Sequence, residues 1–298
     1  MWWLLAIISA LFLGIYDVVK KVSVNNNAVL PVLLFSSVSG AILFIPILIL
    51  SQQGILAEDH TLYVPSITWA EHAQLLLKAA IVITSWIFSF FALKYLPLTI
   101  VAPIRATGPL WTLIGAILIF KEQLSIYQWV GIAITLTFFF LFSTAGKTEG
   151  ISFKNNKWIW FIILGTIFGA ISGLYDKFLL RHINRMAVQC YFTFYQVVLF
   201  IPLVMTIWWP TRKKTSSFKW KWSIPLIGVF LLIADFFYFY ALHDTDSMIS
   251  IVSALRRGSV IIAFAFGAYL FKEKNIKTKS IYLAGILIGI AFLIFGTK

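Results

Sequence analysis

The two halves of this chain carry the same charged signature. Gly14-Ile15-Tyr16-Asp17 returns as Gly173-Leu174-Tyr175-Asp176, and Ile119-Phe120-Lys121-Glu122 returns as Leu270-Phe271-Lys272-Glu273. An arginine stands 17 residues before each glutamate, at Arg105 and Arg256. Repetition at a period of about 150 residues confines the fold to two copies of one unit, each burying its apolar surface against the other. The copies are expected to occupy residues 1–146 and 147–298.

Their composition sets the solvent. Hydrophobic residues make up 60% of the chain and charged residues only 12%, with a mean hydropathy of +0.92, so a water-soluble globule would expose far too much apolar surface. A helix needs about 20 apolar residues to cross a bilayer core of about 30 Å. Ten such runs are predicted, over 2–20, 28–50, 74–93, 97–119, 125–143, 157–180, 186–208, 222–242, 247–271 and 278–296. Five runs per half is an odd number, so the second half enters the membrane from the opposite side. The expected fold is therefore an all-α integral membrane protein of ten transmembrane helices arranged as two inverted five-helix repeats. The first run lacks a basic leader and carries Asp17, which argues against a cleaved signal. Cys190, the only cysteine, is expected to be a structural apolar residue.

The formal charge of +13 reports orientation rather than nucleic-acid binding. Setting aside Arg105, Lys177, Arg256 and Arg257 as lying inside spans, fifteen of twenty basic residues fall on the side reached after spans 1, 3, 5, 7 and 9. Lys78, Lys121, Arg181, Arg185 and Lys298 are assigned to the other side, with Glu58, Asp59 and Glu71. The positive-inside bias then directs both termini outward.

The stretch from Ala92-Leu93-Lys94-Tyr95 through Pro109-Leu110-Trp111-Thr112 to Phe120-Lys121-Glu122-Gln123-Leu124 and Trp129-Val130-Gly131 resembles the span 4 to span 5 region of EamA-type carriers of the drug/metabolite transporter superfamily. Ala241-Leu242, then Ser253-Ala254-Leu255-Arg256-Arg257 to Phe271-Lys272-Glu273-Lys274, resembles its second copy. The resemblance spans essentially the whole chain and implies secondary transport of a small metabolite, with export as the direction. It also implies cytoplasmic termini, against the charge count. The acidic stretch from Ser51 to Glu71 departs from the basic loop common in such carriers.

An ionised side chain within hydrocarbon costs several kcal/mol, so each needs a partner or water. Helical rise places Asp17 and Arg105 within about 5 Å in depth, and the repeat does the same for Asp176 and Arg256 near the opposite face. These pairs are expected to act as gates, with the arginines also able to hold an anionic group of the substrate. The alternative for Asp17 is Lys20, one helical turn on. Asp235, in the middle of span 8, aligns with Trp86 of the first half and breaks the symmetry. It is a candidate for proton coupling or for binding a substrate ammonium, with Phe236, Phe237, Tyr238 and Tyr240 as possible walls. Trp86, Tyr16 and Tyr175 are weaker candidates for the cavity lining, as is Trp111. Pro103, Gly108 and Pro109 interrupt span 4, whereas Gly258 alone stands at the matching place in span 9, so a matched pair of broken helices is not expected. Gly165, Gly169 and Gly173 are expected to serve helix packing.

Other chemistries find no footing. The four histidines lack metal-ligand spacing, no phosphate-binding glycine loop exists, and no clustered nucleophile, acid and base is visible. No catalytic residue, metal or cofactor is expected. The basic, tryptophan-rich stretch from Trp208 to Trp222 reads as an interfacial anchor rather than a nucleic-acid site. The expected activity is secondary transport of a small polar organic metabolite, an amino acid or related zwitterion or anion, by a multi-pass protein of the cytoplasmic membrane. A proton is the candidate coupling ion, and the protein is expected to be a monomer or homodimer. Transport of sugar phosphates or nucleotide sugars is the alternative, followed by flipping of a lipid-linked sugar and by a non-transporting sensor.

Overall fold

A computed structural model describes residues 2–95, 104–105, 107–144, 156–213, 217–259, 261–262, 265 and 276–296. Among the described residues the elements are all helical: α1 (Trp2–Val24), α2 (Val29–Gln52), α3 (Trp69–Tyr95), α4 (Gly108–Phe120), α5 (Ile126–Thr144), α6 (Lys157–Leu179), α7 (Arg185–Leu203), α8 (Ser223–His243), α9 (Ile249–Arg256) and α10 (Ile276–Phe295). Each falls on one of the ten apolar runs. Six, α1 to α3 and α6 to α8, are long and apolar enough to cross a bilayer.

Helix ends follow local chemistry. α1 continues to Val24, and the chain turns at Asn26 with φ 51°, a left-handed conformation that asparagine tolerates better than most residues. α3 begins earlier than the apolar run because Thr68 and Glu71 cap it reciprocally: the Thr68 amide donates to the Glu71 carboxylate at 2.7 Å and the Glu71 amide to the Thr68 hydroxyl at 3.3 Å. Asn156 and Asn184 accept from the first amides of α6 and α7. Past Pro202, α7 widens into a π-helical turn over Val204–Trp208, since proline removes one backbone donor from the ladder.

The principal helix pairs form a symmetric set. α1 packs on α8 as α6 packs on α3; α2 meets α8 as α7 meets α3; α4 meets α6 as α9 meets α1; and α2 with α7, α4 with α9 and α5 with α10 pair across the centre. Exchanging each helix for the one five places along returns the same set. Phe44-Ile45-Pro46 of α2 and Phe200-Ile201-Pro202 of α7 extend the repeat, and both phenylalanines are fully buried.

Helices approach closely where small residues meet. A side chain built at Gly165 of α6 would lie 2.6 Å from Ser89 Oγ and 3.2 Å from the Ser85 carbonyl of α3, and the Ser85 hydroxyl donates to the Gly165 carbonyl at 2.6 Å. The expected packing role of this glycine is thus visible in its contacts. On the α5–α10 pair, a Cβ at Gly289 would lie 2.7 Å from the Thr135 amide and 3.0 Å from the Gly131 carbonyl. These are backbone atoms that cannot swing aside. Gly289→Ala should lower the melting temperature of the detergent-purified protein, by an overpacking penalty of about 1–3 kcal/mol. Gly40→Ala, whose nearest non-local neighbour is 3.5 Å away, should not. Thermal unfolding of the two variants side by side checks this.

Candidate functional site

Charged side chains run through the interior of the bundle, and they are arranged differently at its two ends. In α6, Asp176 lies in the last turn, toward the face that holds the N-terminus. Its carboxylate accepts from the Lys78 ammonium of α3, and both side chains are buried. Lys78 stands about 14 Å along α3 from its start. Its Nζ also lies 4.1 Å from the Phe192 ring centroid and 5.0 Å from that of Phe239, so aromatic faces complete its surroundings. Tyr238 of α8 sits beside the same carboxylate. Arg256, at the end of α9, places its guanidinium 4.0 Å from the Tyr238 ring centroid and donates to Asp235 at 3.2 Å. Lys78, Asp176, Tyr238, Arg256 and Asp235 thus form one connected group.

Loops of this face are fastened as well. The Lys177 ammonium donates to the carbonyls of Leu242, Asp244 and Ser247 and to the Ser247 hydroxyl. Glu122 accepts from the Ile249 and Ser250 amides, capping α9 across the two halves. One glutamate of the repeated Lys-Glu motif is therefore a helix cap supplied by the opposite repeat.

Toward the other face the charges are open. Asp17 of α1 and Arg105, just before α4, are both exposed. Asp17 lies within electrostatic reach of Lys20, Arg105, Arg256 and Arg257, so its exposure is to a space between helices rather than to the outer surface of the bundle. Lys20 donates to the Tyr16 hydroxyl at 3.2 Å and lies 5.9 Å from the Trp86 ring centroid. Trp86 stacks on Phe200 at 5.9 Å. Thus Trp86 and Tyr16 border the open end, whereas Tyr175 points to α3, with its hydroxyl 3.4 Å from the Gln74 carbonyl.

Both arginines precede a break in their helices. Thr107 and Gly258 each donate to the carbonyl three residues back, Ile104 and Leu255, and each accepts three residues on, from Leu110 and Ile261. The four positions correspond one to one at the spacing that separates Arg105 from Arg256. A matched pair of broken helices is therefore present, contrary to the reading of the prolines: a tight turn needs i to i+3 bonding, which Arg257-Gly258 supplies without any proline.

Other sequence expectations are also corrected. Asp176 pairs with Lys78 rather than Arg256 in this conformation, and Lys78 is an interior residue rather than one at a span end. Of the aromatic residues after Asp235, Tyr238 stays with it through Arg256, whereas Phe237 stacks on Phe12 at 6.1 Å and Tyr240 lies under the Arg185 guanidinium at 3.8 Å. Consecutive helix positions are about 100° apart, so neighbours in sequence do not share a wall. Asp235 instead borders a polar cleft with Ser36, Ser37, Gln189, Thr193 and Gln196, whose enclosed part of about 20 Å³ has room for a water molecule. The polar residues at 36–37, 189 and 196 inside apolar runs were the available signal. Pro103 lies outside the described residues, as do Lys272 and Glu273. No group of histidine, cysteine and carboxylate residues able to hold a metal occurs among the described residues.

A family model described as the EamA-like transporter family matches residues 1–144 and again residues 156–295. The chain belongs to the EamA-like transporter family. It is accordingly a multi-pass membrane protein of the drug/metabolite transporter type. A crystal structure described only as that of a protein superposes with a TM-score of 0.71 at 13% identity, over 99% of this chain and 96% of that one, a likeness of fold. No curated protein matches the sequence. The EamA match falls twice, once on each set of five helices, and each match contains one broken helix with its arginine.

Removing one member of a buried ion pair leaves the other unpaired, a loss of about 3–5 kcal/mol, whereas replacing both with apolar residues is often neutral. Lys78→Met should therefore lower the melting temperature steeply. Lys78→Met with Asp176→Leu should recover most of the loss, as thermal unfolding in detergent would read out.

Proposed function

We propose that this protein is a secondary active transporter of a small polar organic metabolite, working by alternating access through a cavity between its two repeats. The observation that carries the reading is the unequal state of two equivalent ends. One end has its charges paired and its loops fastened, and the other exposes Asp17 and Arg105 between helices. Two inverted repeats can exchange such states, so that the open end closes as the closed end opens. Asp17 and Arg105 form the gate that closes the open end. At the closed end, Lys78, Asp176 and Tyr238 hold the helices together, with Arg256 withdrawn to Asp235. A hydrated pair is worth about 0–1 kcal/mol and a broken buried pair costs about 3–5, so a gate that operates repeatedly must remain partly wet.

The polar cleft at Asp235 and the arginines beside it support an amino acid or related zwitterion as substrate, the carboxylate accommodating an ammonium and the guanidinium an anion. With Lys78 counted as interior, the sequence assigns fifteen of nineteen remaining basic residues to the side where α1 ends, which supports an inward-facing state in the cytoplasmic membrane. Export is the direction that the family resemblance favours, with a proton as coupling ion.

Cys190 is the only cysteine and is buried, so single introduced cysteines give clean accessibility readings. In proteoliposomes, Asp17→Cys should react with a membrane-impermeant thiol reagent from the face where α1 ends, and Tyr238→Cys should be protected. Radiolabelled amino-acid counterflow should accompany a solute-dependent reversal of the two reactivities. Fixed reactivities with no counterflow of any amino acid or organic acid would sink the proposal.

A further inference from the structure

The cleft beside Asp235 holds hydrogen-bonding groups that the protein itself leaves unused. Gln196 of α7 is 4% exposed and lines the cleft, yet its carboxamide bonds to no described residue. The other buried glutamines among the described residues, Gln128 and Gln189, donate to the carbonyls of Gly296 and Leu232 at 3.1 and 2.6 Å. Ser37 of α2, 8% exposed, also lines the cleft with a hydroxyl that bonds to no described residue. A buried carboxamide left unpaired costs the fold its desolvation, which an apolar side chain of similar size would not. Stability gives no reason for a glutamine here.

The repeat places these groups at the centre of the bundle. At the spacing that relates Phe44-Ile45-Pro46 to Phe200-Ile201-Pro202, Ser37 corresponds to Thr193 and Gly40 to Gln196. Ser37 and Thr193 each lie about 12 Å along their helices, which enter from opposite faces, so both are near the middle of a core of about 30 Å. Gln189, Thr193 and Gln196, at i, i+4 and i+7, share one face of α7. Across from them, a Cβ at Gly40 would find its nearest non-local atom, Thr193 Cγ2, at 3.5 Å. One repeat thus leaves room where the other supplies a polar side chain.

The chemistry of the walls narrows the ligand. Gln196 and Ser37 offer donors and acceptors, while Gln189 and Thr193, with donors already engaged, add acceptor oxygens. Asp235 is the one charged residue on the cleft wall, and its Oδ1 already accepts from Arg256 at 3.2 Å. An ionic group would meet no unpaired opposite charge inside the cleft, whereas a neutral group that both donates and accepts would satisfy several partners at once. The enclosed part, about 20 Å³, holds one small end group. An α-amino acid carries its ammonium and carboxylate close together, as Asp235 and Arg256 stand, so it can exchange for that pair while its side chain enters the cleft.

We infer that the cleft takes the neutral hydrogen-bonding end of the transported zwitterion, a hydroxyl or a carboxamide, with Gln196 and Ser37 as the residues that select it. The inference rests on the transport reading and narrows its substrate to amino acids with uncharged polar side chains. An apolar end of the same shape would displace water without replacing its bonds and would leave both residues unpaired.

The test uses the full-length, detergent-purified protein and near-isosteric solutes: threonine against valine, and asparagine against leucine and aspartate. Thermal stabilisation should appear at a concentration at least tenfold lower for threonine or asparagine than for its partners. Gln196→Leu should abolish that ratio and Ser37→Ala should reduce it. Without solute, Gln196→Leu should melt no lower than wild type, since it removes an unpaired buried group. A merely structural glutamine would change stability and leave the ratio alone. Equal responses to threonine and valine and to asparagine and leucine in wild type, or an unchanged ratio in both variants, would overturn the inference. Stabilisation by ribitol and by no amino acid would keep the hydroxyl contact and overturn the zwitterion that carries it. Counterflow in proteoliposomes is a separate arm: discrimination in binding without flux would leave the site standing and remove the transport reading, while equal flux of valine and threonine would leave transport standing and remove the inference.

Discussion

Every ionised group placed in hydrocarbon must find an opposite charge, a polarised backbone group or water, and that requirement shapes the interior of this protein. Lys78 meets it with Asp176 and two aromatic faces, Lys177 with three carbonyls and a hydroxyl, and Glu122 with two amides and a hydroxyl at the start of α9. Where pairing is complete the helices are locked together. Where it is incomplete, around Asp17 and Arg105, the side chains remain accessible. The same rule that holds one end together thus leaves the other with accessible charge.

Symmetry supplies the framework, and its violations supply the chemistry. The helix pairs, the buried Phe-Ile-Pro segments and the turns after both arginines repeat faithfully. The polar residues of the interior do not. Aligned through Ala92-Leu93 and Ala241-Leu242, Lys78 corresponds to Ile227 and Asp235 to Trp86. Only one of the two symmetry-related places can therefore hold the buried lysine pair, and only one the Asp235 contact. The two ends share one helix arrangement but differ in the charges they bury.

Most of the architecture was legible because apolar runs, repeated motifs and an odd number of spans per half are properties of the sequence itself. The pairing of charges was not. Depth along a helix can be counted, which brought Asp17 near Arg105 and Asp176 near Arg256, but azimuth cannot, and azimuth assigns Lys78 to Asp176. Lys78 looked terminal because the apolar run begins only at 74, whereas the Thr68–Glu71 cap starts the helix at Trp69 and carries the lysine inward. The second broken helix was hidden for a similar reason. Proline announces a break, but Arg257-Gly258 makes the same turn with hydrogen bonds that leave little trace in composition.

The buried pair also has a history during synthesis. Lys78 and Asp176 are 98 residues apart, and at roughly 5–20 residues per second their appearance is separated by about 5–20 s. Throughout that interval α3 is made while its lysine lacks the carboxylate that later neutralises it. A long, flexible ammonium can reach toward the headgroups in the meantime. The first repeat is thus born with a cation whose buried carboxylate partner comes only with α6 of the second.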